Sequence, residues 1–120
     1  MIGHVDDSNR AMLPVPVRVT PSGKEHIVDA WVDTAFDGHF VFRSSLIGRL
    51  GLETLVETEA ILADGSKVTL NTYVAYVKWF GAVIPVQVVE NEGKFPLLGS
   101  AFLTGRRLLI DYAEGTLEIS

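Results

Sequence analysis

Ala30-Trp31-Val32-Asp33-Thr34-Ala35-Phe36-Asp37-Gly38 is the stretch on which the reading of this chain turns. An apolar run leads the backbone inward and then delivers a carboxylate, a small hydroxyl and a small apolar residue, with no Gly or Pro to mark a surface loop. Asp is depleted in strand interiors and rarely buried unpaired, so an Asp directly after Trp31-Val32 requires either a turn or a partner. Local sequence alone is satisfied by a strand ending at Asp33, with Asp33 and Thr34 bonding their own backbone in a turn.

Working outward, Glu25 to Val32 is the strand that feeds this motif, and Pro21-Ser22-Gly23-Lys24 is the turn before it. Upstream, Leu13, Val15, Val17 and Val19 alternate with Pro14, Pro16, Arg18 and Thr20. That is a strand by period, but two prolines cannot donate to a ladder, so an edge or bulged strand is expected. Residues 1–10 are polar and expected to be flexible. Downstream, His39-Phe40-Val41-Phe42 is a short strand, and a short helix follows over 45–50, with Ser44 as its N-cap and Gly51 as its stop. Strand resumes near Leu55, and Asp64-Gly65 between two extended runs signals a hairpin into a long strand, Lys67 to Trp79. Phe80-Gly81 turns the chain into Ala82 to Val89. Phe95-Pro96-Leu97-Leu98-Gly99 is another apolar run ending in a small residue, followed by a short helix candidate from Ser100 to Thr104. Arg107 to Ile110 and Thr116 to Ile119 pair around Ala113-Glu114-Gly115. The expected fold class is mainly β with one or two short helices.

The 120 residues suffice for one domain, 1–120, and no second. An apolar fraction of 48% against 21% charged residues is that of a globular protein, and no apolar run approaches the roughly 20 residues of a membrane span. Neither a basic nor an apolar leader opens the chain, so a cytoplasmic location is expected, without a membrane partner. A net charge of −5 argues against nucleic acid, which needs clustered Lys and Arg. There is no Cys, and His4, His26 and His39 have no ligand spacing, so no metal site is expected.

Several chemistries fail at the opening motif. Read as a calcium loop from Asp33, it has Asp37 and Gly38 at the fifth and sixth positions but Ala35 at the third and Ser44 at the twelfth, where a bidentate Glu belongs. No Gly-x-Ser-x-Gly elbow supports a serine nucleophile. Neither a Gly-x-Gly-x-x-Gly nor a Gly-Lys-Ser/Thr loop is present to cradle phosphate.

Trp31 to Gly38 resembles the apolar-apolar-Asp-Thr-Gly-Ala signature of retropepsin-like aspartic proteases, the single-lobed relatives of pepsin. Pro96-Leu97-Leu98-Gly99-Ser100-Ala101-Phe102-Leu103 is similar to that family's second signature, two apolar residues and a Gly opening the C-terminal helix. Leu108-Leu109-Ile110-Asp111-Tyr112 resembles the strand that follows it, and Leu62-Ala63-Asp64-Gly65-Ser66-Lys67 falls where the family has its flap hairpin. Each motif alone is weak. Their order and spacing across Val15 to Ile119 is more specific, and implies a closed β-barrel of the acid-protease kind.

The resemblance also implies a mechanism. Aspartic proteases in general use two carboxylates about 3 Å apart that share one proton, because like charges so close cannot both ionise. Of the seven aspartates only Asp33 is followed by Thr and a small residue, so a working enzyme must be a homodimer that pairs Asp33 with its copy. One Asp33 would activate water and the other would polarise the scissile carbonyl of a peptide or protein substrate, without cofactor. By the same resemblance Thr34 and Ala35 support the site, Asp37 and Gly38 hold the substrate, and the tip Ala63-Asp64-Gly65 closes over it. Ala35 stands where the family has Gly, which leaves a second reading open: a catalytically silent domain of the same fold that binds peptides or partners. A third, purely structural reading is a small β-barrel with no dyad. Ser100 also departs from the Arg of retroviral members that pairs with the acid matching Asp37.

Overall fold

Apolar residues recur at every second position between turn signals, and strands result. The computed structural model describes residues 1–61 and 63–120, apart from the side chains of 55–58, 60 and 68–70. In chain order the strands are β1 (Ile2–Val5), β2 (Ala11–Arg18), β3 (His26–Val32), β4 (Phe40–Phe42), β5 (Glu53–Ile61), β6 (Lys67–Trp79), β7 (Ala82–Glu90), β8 (Leu97–Leu98), β9 (Leu108–Asp111) and β10 (Thr116–Ile119). One α-helix, α1 (Ser44–Leu50), and a 3-10 turn over Ser100–Leu103 complete the set. Among the described residues no helix is long and apolar enough to cross a membrane.

The strands join in the order β5-β6-β7-β4-β8-β3-β2-β1-β10-β9, and a further pairing of β2 with β6 closes six of them into a barrel. The expected mainly β, closed-barrel architecture is therefore found. Its interior holds Leu13, Val15 and Val17 from β2, Val28, Ala30 and Val32 from β3, and Phe40 and Phe42 from β4, all buried. Each such Val, Leu or Phe contributes about 1.5–3 kcal/mol of burial.

Pro14 and Pro16 fit this barrel without a strand at the sheet's edge. β1 pairs with β2 only at Ala11 and Met12, and β6 only at Val17 and Arg18, so residues 13–16 have β3 as their single neighbour. A missing N–H costs least in such a window. The polar start, expected to be flexible, carries β1, which pairs with β2 and β10. The Asp6 carboxylate accepts the N–H groups of Ser8 and Arg10, each at 2.9 Å, and pairs with Arg10 Nε at 2.7 Å, fixing the β1–β2 turn. Side-chain chemistry local to that turn, and not hydrophobic period, orders the segment.

Helix α1 begins one residue earlier than the sequence suggests. Arg43 is its N-cap without a side-chain bond, and the Ser44 N–H is met instead by Glu92 Oε1 at 3.4 Å, from a loop distant in sequence. Gly51 ends it as expected, at φ +76°, with its N–H returned to the Ile47 carbonyl. The Asp64-Gly65 hairpin also forms, Ile61 opposing Lys67 across it, with Gly65 at φ +85°. Leu62, included in the sequence motif, lies outside the described residues.

Candidate active site

Asp33 is placed by main-chain bonds to β8. β3 and β8 run parallel with Trp31 beside Leu97 and Val32 beside Leu98; the Asp33 N–H donates to the Leu98 carbonyl at 2.9 Å. The carboxylate then turns the chain: the Ala35 N–H donates to Asp33 Oδ1 at 3.0 Å, and the Phe36 N–H to the Asp33 carbonyl at 3.2 Å. This is the local turn that the sequence alone favoured, here standing half-buried beside a pocket of about 330 Å³ lined by Trp31, Val32, Asp33 and Leu97.

The second motif clamps the first. The N–H groups of Gly99, Ser100 and Ala101 donate to the carbonyls of His39, Phe36 and Gly38 at 2.7, 2.7 and 3.2 Å. These are the donors that the start of a helical turn leaves unsatisfied, so the loop after Asp33 takes up the bonds that the turn at Ser100 cannot make internally. The approach is close enough to require glycine: a Cβ at Gly99 would run into the Gly38 carbonyl oxygen and the Phe36 ring. The two motifs that resemble family signatures are thus in direct main-chain contact in the barrel.

The remaining candidates divide. Thr34 and Ala35 are exposed beside Asp33, and Asp37 is exposed while Gly38 is half-buried under the Phe36 ring. Ala63, Asp64 and Gly65 are exposed at the hairpin tip, where Ser66 Oγ donates to Asp64 Oδ1 and holds that carboxyl below its usual range, and no hydrogen bond among the described residues joins the tip to the Asp33 loop. Among the described residues Asp37 has no ion pair; the two pairs found are Arg10 with Asp6 and Arg18 with Glu25. The Arg106 guanidinium lies 3.6 Å from the centre of the Phe80 ring.

Phe40, Phe42 and Phe102 are buried, whereas Trp31 is 37% exposed and lines the pocket. Phe95 meets it edge-on at 5.9 Å, and the Arg10 guanidinium lies 4.2 Å from the Phe95 ring centre. The signal was present in the period of β3: Val28, Ala30 and Val32 point inward, so Trp31 shares the outer face with Asp33.

His39 is half-buried behind the loop. Its ring meets Phe102 edge-on at 5.0 Å and its Nδ1 accepts the Gln87 N–H at 3.4 Å, which needs the unprotonated nitrogen. Burial lowers its pKa from the ordinary 6.5. A depressed folded-state pKa means that the unfolded chain binds the proton more readily, so the stabilisation is complete above pH 6.5 and is lost as pH falls through the folded value. Melting temperatures between pH 7.5 and 5 are expected to fall more steeply for the native protein than for His39→Gln; equal slopes would remove His39 from this role.

No family profile and no curated protein matches the chain by sequence. Solved structures do match by shape. A retropepsin-like aspartic protease from Rickettsia conorii aligns with a TM-score of 0.62 at 15% identity, over 98% of this chain and 85% of that one. The EIAV protease complexed with the inhibitor HBY-793 aligns with a TM-score of 0.55 at 17% identity, over 83% and 90%.

The fold is retropepsin-like. Within a retropepsin-like fold, the Asp33 turn and the Gly99 turn are the two motifs that the sequence resemblance singled out.

Proposed function

We propose that the chain is one half of a homodimeric aspartic peptidase, hydrolysing peptide bonds through Asp33 and its copy in a second subunit. The observation that carries this reading is the single Asp-Thr motif at the end of β3, its carboxylate half-buried at the rim of a pocket. Oδ1 is engaged by the Ala35 N–H, which orients the carboxylate. In the dimer one Asp33 acts as general base toward water and its protonated copy polarises the carbonyl, the proton belonging to the pair. Thr34 would bond across the two-fold axis, Asp37 and Gly38 would hold the substrate main chain, and the hairpin tip at Ala63-Asp64-Gly65 would close as a flap.

Ala35 motivates the silent-domain alternative, and the backbone favours the catalytic one. Non-glycine residues with positive φ, among the described residues, are Asn9 and Phe80, so Ala35 occupies ordinary backbone space and its methyl group is exposed. Ala35→Gly therefore relieves no strain. It is expected to cost about 0.5–1 kcal/mol of stability through the freer unfolded chain, and to change kcat/KM by less than about tenfold. A peptide library incubated at about pH 4–6, where a shared carboxylate proton persists, tests activity directly. No cleavage by the native chain together with cleavage by Ala35→Gly would establish the silent domain and end the catalytic reading.

A further inference from the structure

His39 stands at a corner where three segments meet. On one side its carbonyl accepts the Gly99 N–H at 2.7 Å, which continues the pairing of β4 with β8 one residue beyond Phe40 and Leu98. On the other side β4 pairs with β7 from Phe40 and Val88 onward, and that ladder gives out at Gln87. The Gln87 N–H is taken by the imidazole Nδ1 at 3.4 Å in place of a main-chain oxygen. A side chain completes the rung that the backbone leaves open. One residue thereby ties the end of the Asp33 loop to both β8 and β7.

That rung depends on protonation. Nδ1 accepts only in the neutral ring, with the hydrogen on Nε2; the imidazolium carries N–H at both nitrogens, and two donors then face each other. The surroundings do not accommodate the charge. The side chains around the ring are Val74 from β6, Pro85, Val86 and Gln87 from β7 and Phe102 from the 3-10 turn, and none of them ionises. Among the described residues no charged group acts on the ring, and burial alone lowers its pKa. A cavity of about 230 Å³ bordered by His39 itself gives a charged ring room to turn toward water.

We propose that His39 is a positioning residue for the Asp33 loop and works as a proton switch: the neutral ring holds the loop in place and the protonated ring releases it. The inference rests on the peptidase reading above and adds a regulation to that site. The route to Asp33 is short. His39 closes the same loop whose Phe36 N–H donates to the Asp33 carbonyl and whose Phe36 and Gly38 carbonyls accept Ser100 and Ala101. A shared dyad proton persists at about pH 4–6, whereas the loop is fully held only above the pH at which His39 takes up its proton. Activity is therefore confined to the upper part of that window, and it falls on the acid side at a higher pH than the dyad alone requires.

A nuclear magnetic resonance titration of the full chain reads the switch without any substrate. The amides of Gln87, Gly99 and Ala35, the last bonded to Asp33 Oδ1, are expected to shift with the midpoint of the His39 ring, below pH 6.5. In His39→Asn the side-chain oxygen accepts the Gln87 N–H but takes up no proton, so that midpoint is expected to vanish from all three amides while the one belonging to Asp33 stays. On a library peptide that the native chain cleaves, kcat is expected to fall about tenfold through the His39 midpoint, as for a displaced reacting group. His39→Asn is expected to remove that inflection, and His39→Leu, which has no acceptor, to show the low kcat at every pH. Should His39→Leu unfold, as a circular dichroism melt would reveal, the native chain and His39→Asn still decide. An acid limb of kcat that is the same in His39→Asn, or Gly99 and Ala35 amides that ignore the midpoint of the ring, would overturn the switch and leave the peptidase reading standing. Amides that follow the ring in a chain that cleaves no library peptide at any pH would sustain the loop switch and count against the peptidase reading instead.

Discussion

Asp33→Asn is expected to remove peptidase activity, by roughly 10²–10⁴-fold, the range over which a positioned general acid–base group acts. The substitution is unusually clean. Oδ1 of Asp33 accepts the Ala35 N–H at 3.0 Å, and the side-chain oxygen of Asn accepts the same bond, so the turn keeps its geometry while the charge disappears. The melting temperature is therefore expected to move by no more than about 2 °C, as for a substitution that breaks no buried contact. In a symmetric dimer each variant chain removes half of the dyad, so mixtures of native and variant chains should lose activity according to the fraction of mixed dimers. Cleavage that persists in pure Asp33→Asn protein would end the aspartic-peptidase reading.

Gly99→Ala is expected to have a large effect on stability for a single added methyl group. The added Cβ would meet the Gly38 carbonyl oxygen, the Phe36 ring and, at 2.7 Å, the Phe36 carbonyl oxygen, two of these being backbone atoms that cannot rotate away. Those same carbonyls accept the N–H groups of Ser100 and Ala101. Relief of the clash therefore means moving the Asp33 loop away from β8 and giving up bonds that hold it. A loss of about 3 kcal/mol, at the upper end of overpacking, is expected; for a domain of this size that is a drop of roughly 10–15 °C in melting temperature. Gly48→Ala in α1, where a Cβ meets nothing within 4 Å, is the natural control. A melting temperature for Gly99→Ala equal to that of the native chain would show that the two motifs do not lock each other.

Much of the barrel was legible in the chain. β6 and the hairpin at Asp64-Gly65 follow from period-two patterning and turn residues, because a side chain's face along a strand is set by counting alone. The identity of Asp33 as the distinctive carboxylate also follows from sequence, since no other Asp is followed by Thr and a small residue. Three features were decided elsewhere. The Pro-containing β2 was free to lie in the interior of the sheet because its neighbours change between Met12 and Val17, a matter of which strands meet it. The N–H of Ser44 was met by Glu92, a contact between residues 48 apart. And the loop after Asp33 acquired its shape from the main-chain donors of Gly99, Ser100 and Ala101. Backbone-to-backbone bonds carry no side-chain signature, so nothing in the residues from Asp33 to Gly38 announces the strand that holds them. Local composition could supply a carboxylate and a turn; only the folding of distant segments onto that turn set it at the rim of a pocket.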